Sequence, residues 1–279
     1  MATTTTPAEY MLGDAADERA RLMAQAALLE DEARALLDRV DIPVGGDVID
    51  IGCGPIGILP LLSERVGPHG QVTGFDRHGD MLDHAARTCA RLGNVRFALG
   101  DATDTGFTPG TFDVAHIRLL LVNVSDPIAV VREAARIVRP GGAVVVQEVD
   151  WLSWQCEPGL PAWAALRDVL RGLWHSRGLD PEIGRRLPTL LRAAGLCEVQ
   201  ATAHAGIDGA GHPYRRLILT FADRFRQRIL AAGLATADEL AALHAAVDRH
   251  LADPGTVVVR AMTVQAWGRV AGRVGMVRP

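Results

Sequence analysis

Hydrophobic residues in the first half of the chain form short runs that alternate with longer amphipathic stretches. Within a run nearly every position is apolar, rather than every second one. Strands of this kind are buried on both faces, which is typical of a parallel sheet covered by helices on both sides. The predicted strands are residues 48–51, 71–75, 95–99, 112–118 and 143–147, with helices near 79–92 and 127–138 between them.

The two ends of the chain carry mostly helical patterns. Residues 8–40 place apolar side chains three and four positions apart, which predicts two helices or one broken helix. Beyond residue 150 the pattern predicts helices at 159–177, 181–194, 214–231 and 237–251, and strands at 196–205 and 257–267.

These patterns predict an α/β chain in three parts: a helical cap at 1–40, a core of alternating strands and helices at 41–150, and residues 151–279 completing the sheet. The last part carries helical inserts at about 155–180 and 213–252. Ligands of open α/β sheets lie at the carboxyl ends of the strands. The cap and the inserts are therefore the parts most free to shape a substrate pocket.

A glycine-rich turn follows the first predicted strand. Asp50 near the end of that strand precedes Gly52, Cys53, Gly54 and Gly57. Glycine tolerates positive φ and lets a ligand approach without a Cβ in the way, so the turn predicts a bound nucleoside. The spacing also fits the dinucleotide fingerprint, and the turn alone does not distinguish NAD from other nucleosides.

The next two strands also end in acids. Asp76 follows the second strand, where a carboxylate can accept both ribose hydroxyl protons. Gly100, Asp101 and Ala102 follow the third strand and would place a second acid beside adenine, whose exocyclic amine is a donor. Dinucleotide enzymes do not usually have this second acid.

Taken in order from Val48 to Asp150, these features resemble the class I S-adenosylmethionine-dependent methyltransferases. The resemblance implies a Rossmann-like, doubly wound, seven-stranded sheet, mostly parallel with one antiparallel strand between the fifth and sixth. It implies S-adenosyl-L-methionine as cofactor and S-adenosyl-L-homocysteine as product. One departure is visible, because Ile56 stands where the family commonly has its third glycine and Gly57 comes one residue later.

The segment from Tyr10 to Gly13, with Glu18, Arg21-Leu22 and Gln25-Ala26, also resembles a bacterial subgroup that acts on small molecules. In that subgroup such a helix covers the cofactor.

The resemblance further implies that Asp50 helps to bind the methionine amino group; structural capping of the turn is the alternative. Arg77 and Met81 are candidates to flank the adenine. Arg118 could pair with the methionine carboxylate, with a substrate acid, or merely with Asp101 or Asp113. Together the expected cofactor residues are Asp50, Gly52, Cys53, Gly54, Asp76, Arg77, Met81, Gly100, Asp101, Ala102 and Arg118.

His116 is the candidate catalytic base, since it lies near the carboxyl end of the fourth strand, where substrate and cofactor would meet. The alternative is a histidine that only packs in the sheet. Trp151, Trp154, Trp163 and Trp174 could hold a planar substrate or simply pack their helix.

Charge and composition exclude some classes of binding partner. A net charge of −4 and the lack of a basic cluster disfavour nucleic acid and a polybasic membrane contact. Four scattered cysteines and the histidines show no metal-ligand spacing, so we expect no metal. Without a signal-peptide pattern or an apolar run of about 18 residues, we expect a cytoplasmic protein with no membrane contact, which could form a homodimer.

The sequence thus predicts methyl transfer to oxygen, nitrogen or carbon of a small molecule, such as a specialised metabolite or a peptide. Two alternatives stay open. The same fold could use the bound sulfonium compound for a non-methylating cyclisation, or the chain could be an NAD(P)-dependent reductase.

Overall fold

The computed structural model describes residues 16–272. The segment from Tyr10 to Gly13, which contributed to the cap prediction, lies outside these residues. The strands are β1 Asp47–Ile51, β2 Gln71–Asp76, β3 Val95–Leu99, β4 Phe112–Arg118, β5 Val138–Asp150, β6 Gln155–Glu157, β7 Leu196–His204, β8 Ile207–Asp208, β9 Val257–Val259 and β10 Met262–Val270. The helices are α1 Ala16–Leu28, α2 Glu30–Leu37, α3 Leu59–Val66, α4 Gly79–Thr88, α5 Pro127–Ile137, α6 Pro161–His175, α7 Ile183–Ala193, α8 Leu217–Ala231 and α9 Ala237–Ala252.

Seven strands form the central sheet in the order β3-β2-β1-β4-β5-β10-β7. The first five pair in parallel, whereas β10 runs antiparallel to both β5 and β7. The predicted doubly wound, mostly parallel sheet with one antiparallel strand is therefore confirmed. Strand order reverses between β1 and β4, which is where open α/β sheets form their ligand crevice.

Side chains alternate between two hydrophobic cores, one on each face of the sheet. Along β5, Val144 and Val146 pack in the core that α5 and α7 cover, while Val145 packs in the core that includes residues of α2, α3 and α4. This explains why the strands are apolar at successive positions in the sequence: both faces are buried.

The cap forms two helices, α1 and α2, separated at Leu29, as one of the two predicted arrangements requires. Glu18 of α1 is fully buried and pairs with Arg21 and with Arg224 of α8, the latter at 2.9 Å. The cap is thereby fastened to the second insert by a buried carboxylate. The division of the chain into three parts stays a prediction.

The prediction of one last strand over 257–267 is wrong. Val257–Val259 instead pairs with β6 and β8 in a separate three-stranded sheet, and β10 begins only at Met262. Arg260 lies between β9 and β10. Its N–H donates to the carbonyl of Gly206 and its guanidinium pairs with Asp208 at 3.1 Å, and these contacts hold the chain where the two strands separate. Within residues 16–272, no helix combines the length and apolar character needed to cross a membrane.

Candidate active site

One cavity of about 260 Å³ lies at the carboxyl ends of the parallel strands. The glycine turn, which follows β1, lines this cavity. Hydrogen bonds hold the turn against the end of β2. The N–H groups of Gly52 and Cys53 donate to the carbonyl of Phe75 at 2.7 and 3.1 Å. All of the expected cofactor residues line this cavity: Asp50, Gly52, Cys53, Gly54, Asp76, Arg77, Met81, Gly100, Asp101, Ala102 and Arg118.

The displaced third glycine has a steric reason. Gly57 adopts φ +53°, and a Cβ there would lie 2.1 Å from Asp50 Oδ2. The missing side chain makes room for the Asp50 carboxylate, whose Oδ2 accepts the Ile58 N–H at 3.2 Å. Gly54 has a similar φ of +56°, but its Cβ would meet nothing within 4 Å, so the turn leaves open space there.

Asp76 joins the end of β2 to the glycine turn. Its Oδ2 accepts the Gly54 N–H at 2.9 Å, and its Oδ1 accepts the His78 N–H at 2.9 Å. The His78 ring lies 3.2 Å from the same Oδ1, and this contact raises the pKa of His78. Oδ2 can accept a further hydrogen bond from a ligand, because each oxygen of an ionised carboxylate has about two acceptor sites.

Asp101 follows β3 and stands on the same cavity wall. Its Oδ1 accepts from the hydroxyl and the N–H of Thr103 at 2.7 and 2.8 Å. These two bonds hold the pKa of Asp101 below its ordinary value, so the carboxylate is ionised. A fixed negative acceptor at this position matches a ligand that carries an amine donor.

Arg118 and Glu32 present opposite charges to the inner end of the cavity. Arg118 Nη2 donates to the Gly57 carbonyl at 2.8 Å, while its Nη1 is buried without a hydrogen-bond partner among the described residues. Burial lowers the pKa of Arg118. Glu32 Oε2, from α2, is likewise buried and unpartnered within the described part of the chain. A ligand that carries both an acid and an amine would satisfy both groups.

Arg118 does not pair with Asp113, which was one alternative. Asp113 instead accepts from Arg139 Nη1 at 2.9 Å and from the Asp47 N–H at 2.8 Å, at the amino ends of β1 and β4 and so at the opposite end of the strands from the cavity. Arg118 is therefore available to the cavity.

His116 lies behind the cavity wall rather than in it. The β1–β4 register sets His116 directly beside Asp50, and its Nδ1 lies 2.7 Å from Asp50 Oδ1. Both side chains are buried, with exposures of 0% and 2%. A group that cannot reach the cavity cannot take a proton from a substrate there, so the geometry does not favour His116 as a base. It favours His116 as the residue that orients Asp50, whose other oxygen, Oδ2, caps the turn.

The chain resembles known proteins over the region that carries the glycine turn and the acidic strand ends of this cavity. Residues 48–142 match a family model described as a methyltransferase domain. The matched residues form a methyltransferase domain, and this region is similar to the class I S-adenosylmethionine-dependent methyltransferases. The cofactor of this family is S-adenosylmethionine.

Two curated relatives show how far the likeness extends. Nocamycin O-methyltransferase of Saccharothrix syringae is 40% identical over 114 residues, 40% of this chain and 41% of the relative. Demethylmenaquinone methyltransferase of Staphylococcus epidermidis is 33% identical over 126 residues, 45% of this chain and 50% of the relative. The alignments thus span half or less of these relatives' length.

A solved structure shares the methyltransferase fold over most of the chain. Phosphoethanolamine N-methyltransferase 2 of Haemonchus contortus, solved with S-adenosylhomocysteine, gives a TM-score of 0.53 at 16% identity. The match covers 87% of this chain and 53% of that one.

The residues lining the cavity fit the cofactor of the methyltransferase family. Unpartnered Arg118 Nη1 and Glu32 Oε2 match a methionine carboxylate and ammonium, and Asp76 and Asp101 match hydroxyl and amine donors of adenosine. Glu32 was not among the expected site residues. It lies three positions after Leu29 and four before Leu36, on the buried face of α2, and an acid on an apolar helix face was the signal that could have revealed it.

A tight turn after β4 lines the centre of the cavity. Leu119 adopts φ +53°, which is rare for a residue with a side chain, and its N–H donates to the Gln147 carbonyl at 2.9 Å. Asn123 Nδ2 donates back to the Leu119 carbonyl at 3.1 Å. Strained backbone of this kind concentrates at functional sites. Sequence patterns do not reveal it, because leucine is not a residue that signals positive φ.

The far half of the cavity is aromatic. Trp151 follows β5, and its ring stacks on Phe221 of α8 at 5.6 Å and 21° and packs against Trp174 of α6 at 4.5 Å. Both inserts therefore contribute to one wall. Trp163, in contrast, donates its Nε1–H to the Trp154 carbonyl at 3.2 Å and supports the wall from behind.

Proposed function

We propose that the chain transfers a methyl group from S-adenosylmethionine to an oxygen, nitrogen or carbon atom of a small molecule. The observation that carries the proposal is one continuous cavity, in which the glycine turn and the acidic strand ends meet an aromatic half built by the inserts. A donor and an acceptor could thus lie in the same enclosed space. Two relatives named for nocamycin and demethylmenaquinone support a small-molecule acceptor.

Each group of residues has a proposed part in this reaction. Asp76 and Asp101 hold the adenosine, while Arg118 and Glu32 hold the methionine end. S-adenosylmethionine supplies a methyl group already activated on a sulfonium sulfur. The protein's work is then to orient the acceptor and to exclude water, and orientation contributes up to about 7–11 kcal/mol in favourable intramolecular cases.

Labelled cofactor tests the reaction. Full-length protein would be incubated with methyl-labelled S-adenosylmethionine and a panel of phenols, amines and carbon acids, and the products analysed by mass spectrometry. We expect label in a product together with an equal amount of S-adenosylhomocysteine. A product formed without label would select the cyclisation instead. Binding of NADH without binding of S-adenosylhomocysteine would select the reductase.

Replacing Asp76 tests the ribose assignment. We expect Asp76→Ala to weaken S-adenosylhomocysteine binding by about 1–3 kcal/mol, because charge-assisted hydrogen bonds are lost. Calorimetric titration would measure the dissociation constant. Asp83→Ala is the matched control, since Asp83 is an exposed acid on neighbouring α4. Equal constants for wild type and Asp76→Ala would contradict the assignment.

A further inference from the structure

The aromatic half of the cavity presents flat surfaces on several sides. We call it the aromatic chamber and define it as Trp151, Trp154, Trp174, Tyr214, Leu217 and Phe221. Trp151 and Phe221 are nearly parallel, whereas Trp154 meets Phe221 edge-on at 6.3 Å and 77°. Such a chamber favours a flat, largely apolar ligand, which contacts ring faces and edges without exposing them to water.

Two polar atoms in the chamber have no hydrogen-bond partner among the described residues. They are Trp174 Nε1 and the Tyr214 hydroxyl, and both atoms are buried. Trp163 lies on the same helix as Trp174, but its indole N–H donates to the carbonyl of Trp154. A buried polar group without a partner costs about 1–3 kcal/mol, so an unpartnered pair lining a cavity indicates a ligand that supplies the missing partners.

Both atoms are hydrogen-bond donors under ordinary conditions. The indole N–H can only donate. Burial raises the pKa of Tyr214, so the phenol keeps its proton and can donate as well. The ligand must therefore bring an acceptor atom, and oxygen on a ring compound is the simplest acceptor that keeps a ligand flat.

The charges around the chamber are already matched. Arg21 and Arg260 both line the cavity, and each pairs with a buried carboxylate. Arg21 Nη2 lies 2.7 Å from Glu18 Oε1, and Arg260 Nε lies 3.1 Å from Asp208 Oδ1. Arg260 Nε, although ion-paired, has no hydrogen-bond partner among the described residues. Since carboxylates balance both guanidinium charges, the chamber suits an uncharged oxygen better than a carboxylate or an amine.

We propose that the methyl acceptor is a flat, largely apolar ring compound with an uncharged oxygen that accepts hydrogen bonds from Trp174 Nε1 and the Tyr214 hydroxyl. This inference rests on the proposed function and adds the substrate class. Trp174 and Tyr214 then determine specificity: they distinguish an oxygenated ring from a hydrocarbon of the same shape.

Two bicyclic probes of similar shape test the proposal. Chromone carries a ring oxygen and a carbonyl, whereas naphthalene has neither. Dissociation constants for both would be measured by ligand-observed saturation-transfer NMR on full-length protein saturated with S-adenosylhomocysteine. We expect Trp174→Phe and Tyr214→Phe each to weaken chromone binding about three- to tenfold, the effect of one lost hydrogen bond. Naphthalene binding should change less than about twofold, since the rings are kept.

Trp267→Phe is the matched control, because Trp267 packs in the core on the other face of the sheet. It should leave both constants unchanged. The proposal is overturned if neither probe binds the loaded protein, or if the two Phe variants weaken both probes equally or neither of them. Calorimetry of S-adenosylhomocysteine on the same samples separates the two questions, because wild type that fails to bind it contradicts the proposed function instead.

Discussion

Gly57→Ala is expected to destabilise the protein by about 3–5 kcal/mol, measured as the free energy of unfolding in urea. The new Cβ would lie 2.1 Å from Asp50 Oδ2, and φ of +53° would strain an alanine. The carboxylate must move, and it then loses its contacts with the Ile58 N–H and the His116 ring nitrogen, both of which are buried. Positive φ accounts for about 1–2 kcal/mol and the broken buried bonds for the rest.

Gly54→Ala separates the cost of backbone strain from the cost of the broken Asp50 contacts. Its φ of +56° imposes a similar strain, but its Cβ would meet nothing within 4 Å. We expect a loss of only about 1–2 kcal/mol in unfolding free energy. S-adenosylhomocysteine affinity should nevertheless fall, because this Cβ would stand in the cavity that Gly54 lines. Equal losses of stability in the two variants would show that Asp50 does not depend on the gap at Gly57.

The later position of the third glycine is therefore an adaptation to Asp50 rather than a weakened motif. Ile56 stands at the family's usual glycine position, and Gly57 supplies the empty space instead. Sequence comparison notices the shift but does not show which atom occupies the space. The occupant is set by the side-chain conformation of Asp50, which is buried on the other side of the glycine turn.

Much of the cofactor half of the site could be predicted from sequence, for a topological reason. Asp76 and Asp101 each follow a strand, and parallel strands bring their carboxyl ends to one edge. The local order along the chain thus implies proximity in space. The expected cofactor residues do line one cavity, although their contacts with the cofactor stay predictions.

Features that depend on pairing between distant segments could not be predicted. The contact of His116 with Asp50 follows from the register of β4 on β1, which the sequence of either strand does not state. The three-stranded sheet joins Gln155–Glu157, Ile207–Asp208 and Val257–Val259, three segments too short to show periodicity alone. The apolar face of α2 could have revealed that Glu32 is buried, but not that α2 packs beside the glycine turn and brings Glu32 to the cavity.

Glu148 connects the sheet to the strained turn of the active site. It lies on β5 beside Val264 of β10, fully buried, and its Oε1 accepts the Leu121 N–H at 2.5 Å. Burial raises its pKa to about 8, although backbone N–H groups of Leu121, Val122 and Leu120 act in the opposite direction. The turn that presents Leu119 to the cavity thus rests on a carboxyl group that is protonated at neutral pH.

Glu148→Gln is expected to make the folded state more stable than wild type, by an amount that grows as pH rises. Between pH 4.5, the ordinary value, and about 8, the folded protein keeps a proton that the unfolded chain has released. Wild-type stability must then fall with rising pH by up to about 1.4 kcal/mol per unit, and the neutral amide removes this term. Urea unfolding of both proteins at about pH 5, 6, 7 and 8 would measure the difference in their unfolding free energies across the range from 4.5 to about 8.

Glu133→Gln provides a control of opposite sign. Although burial raises the pKa of Glu133, hydrogen bonds from Arg136 and Thr105 outweigh it and lower the value to about 2. That carboxylate stabilises the folded state above the ordinary pKa of 4.5, and its contribution is lost as pH falls toward 2. Glu133→Gln should therefore be less stable than wild type at neutral pH. A pH-independent difference between Glu148→Gln and wild type would mean that Glu148 is ionised in the fold, and that the turn at Leu119 is held by a charge.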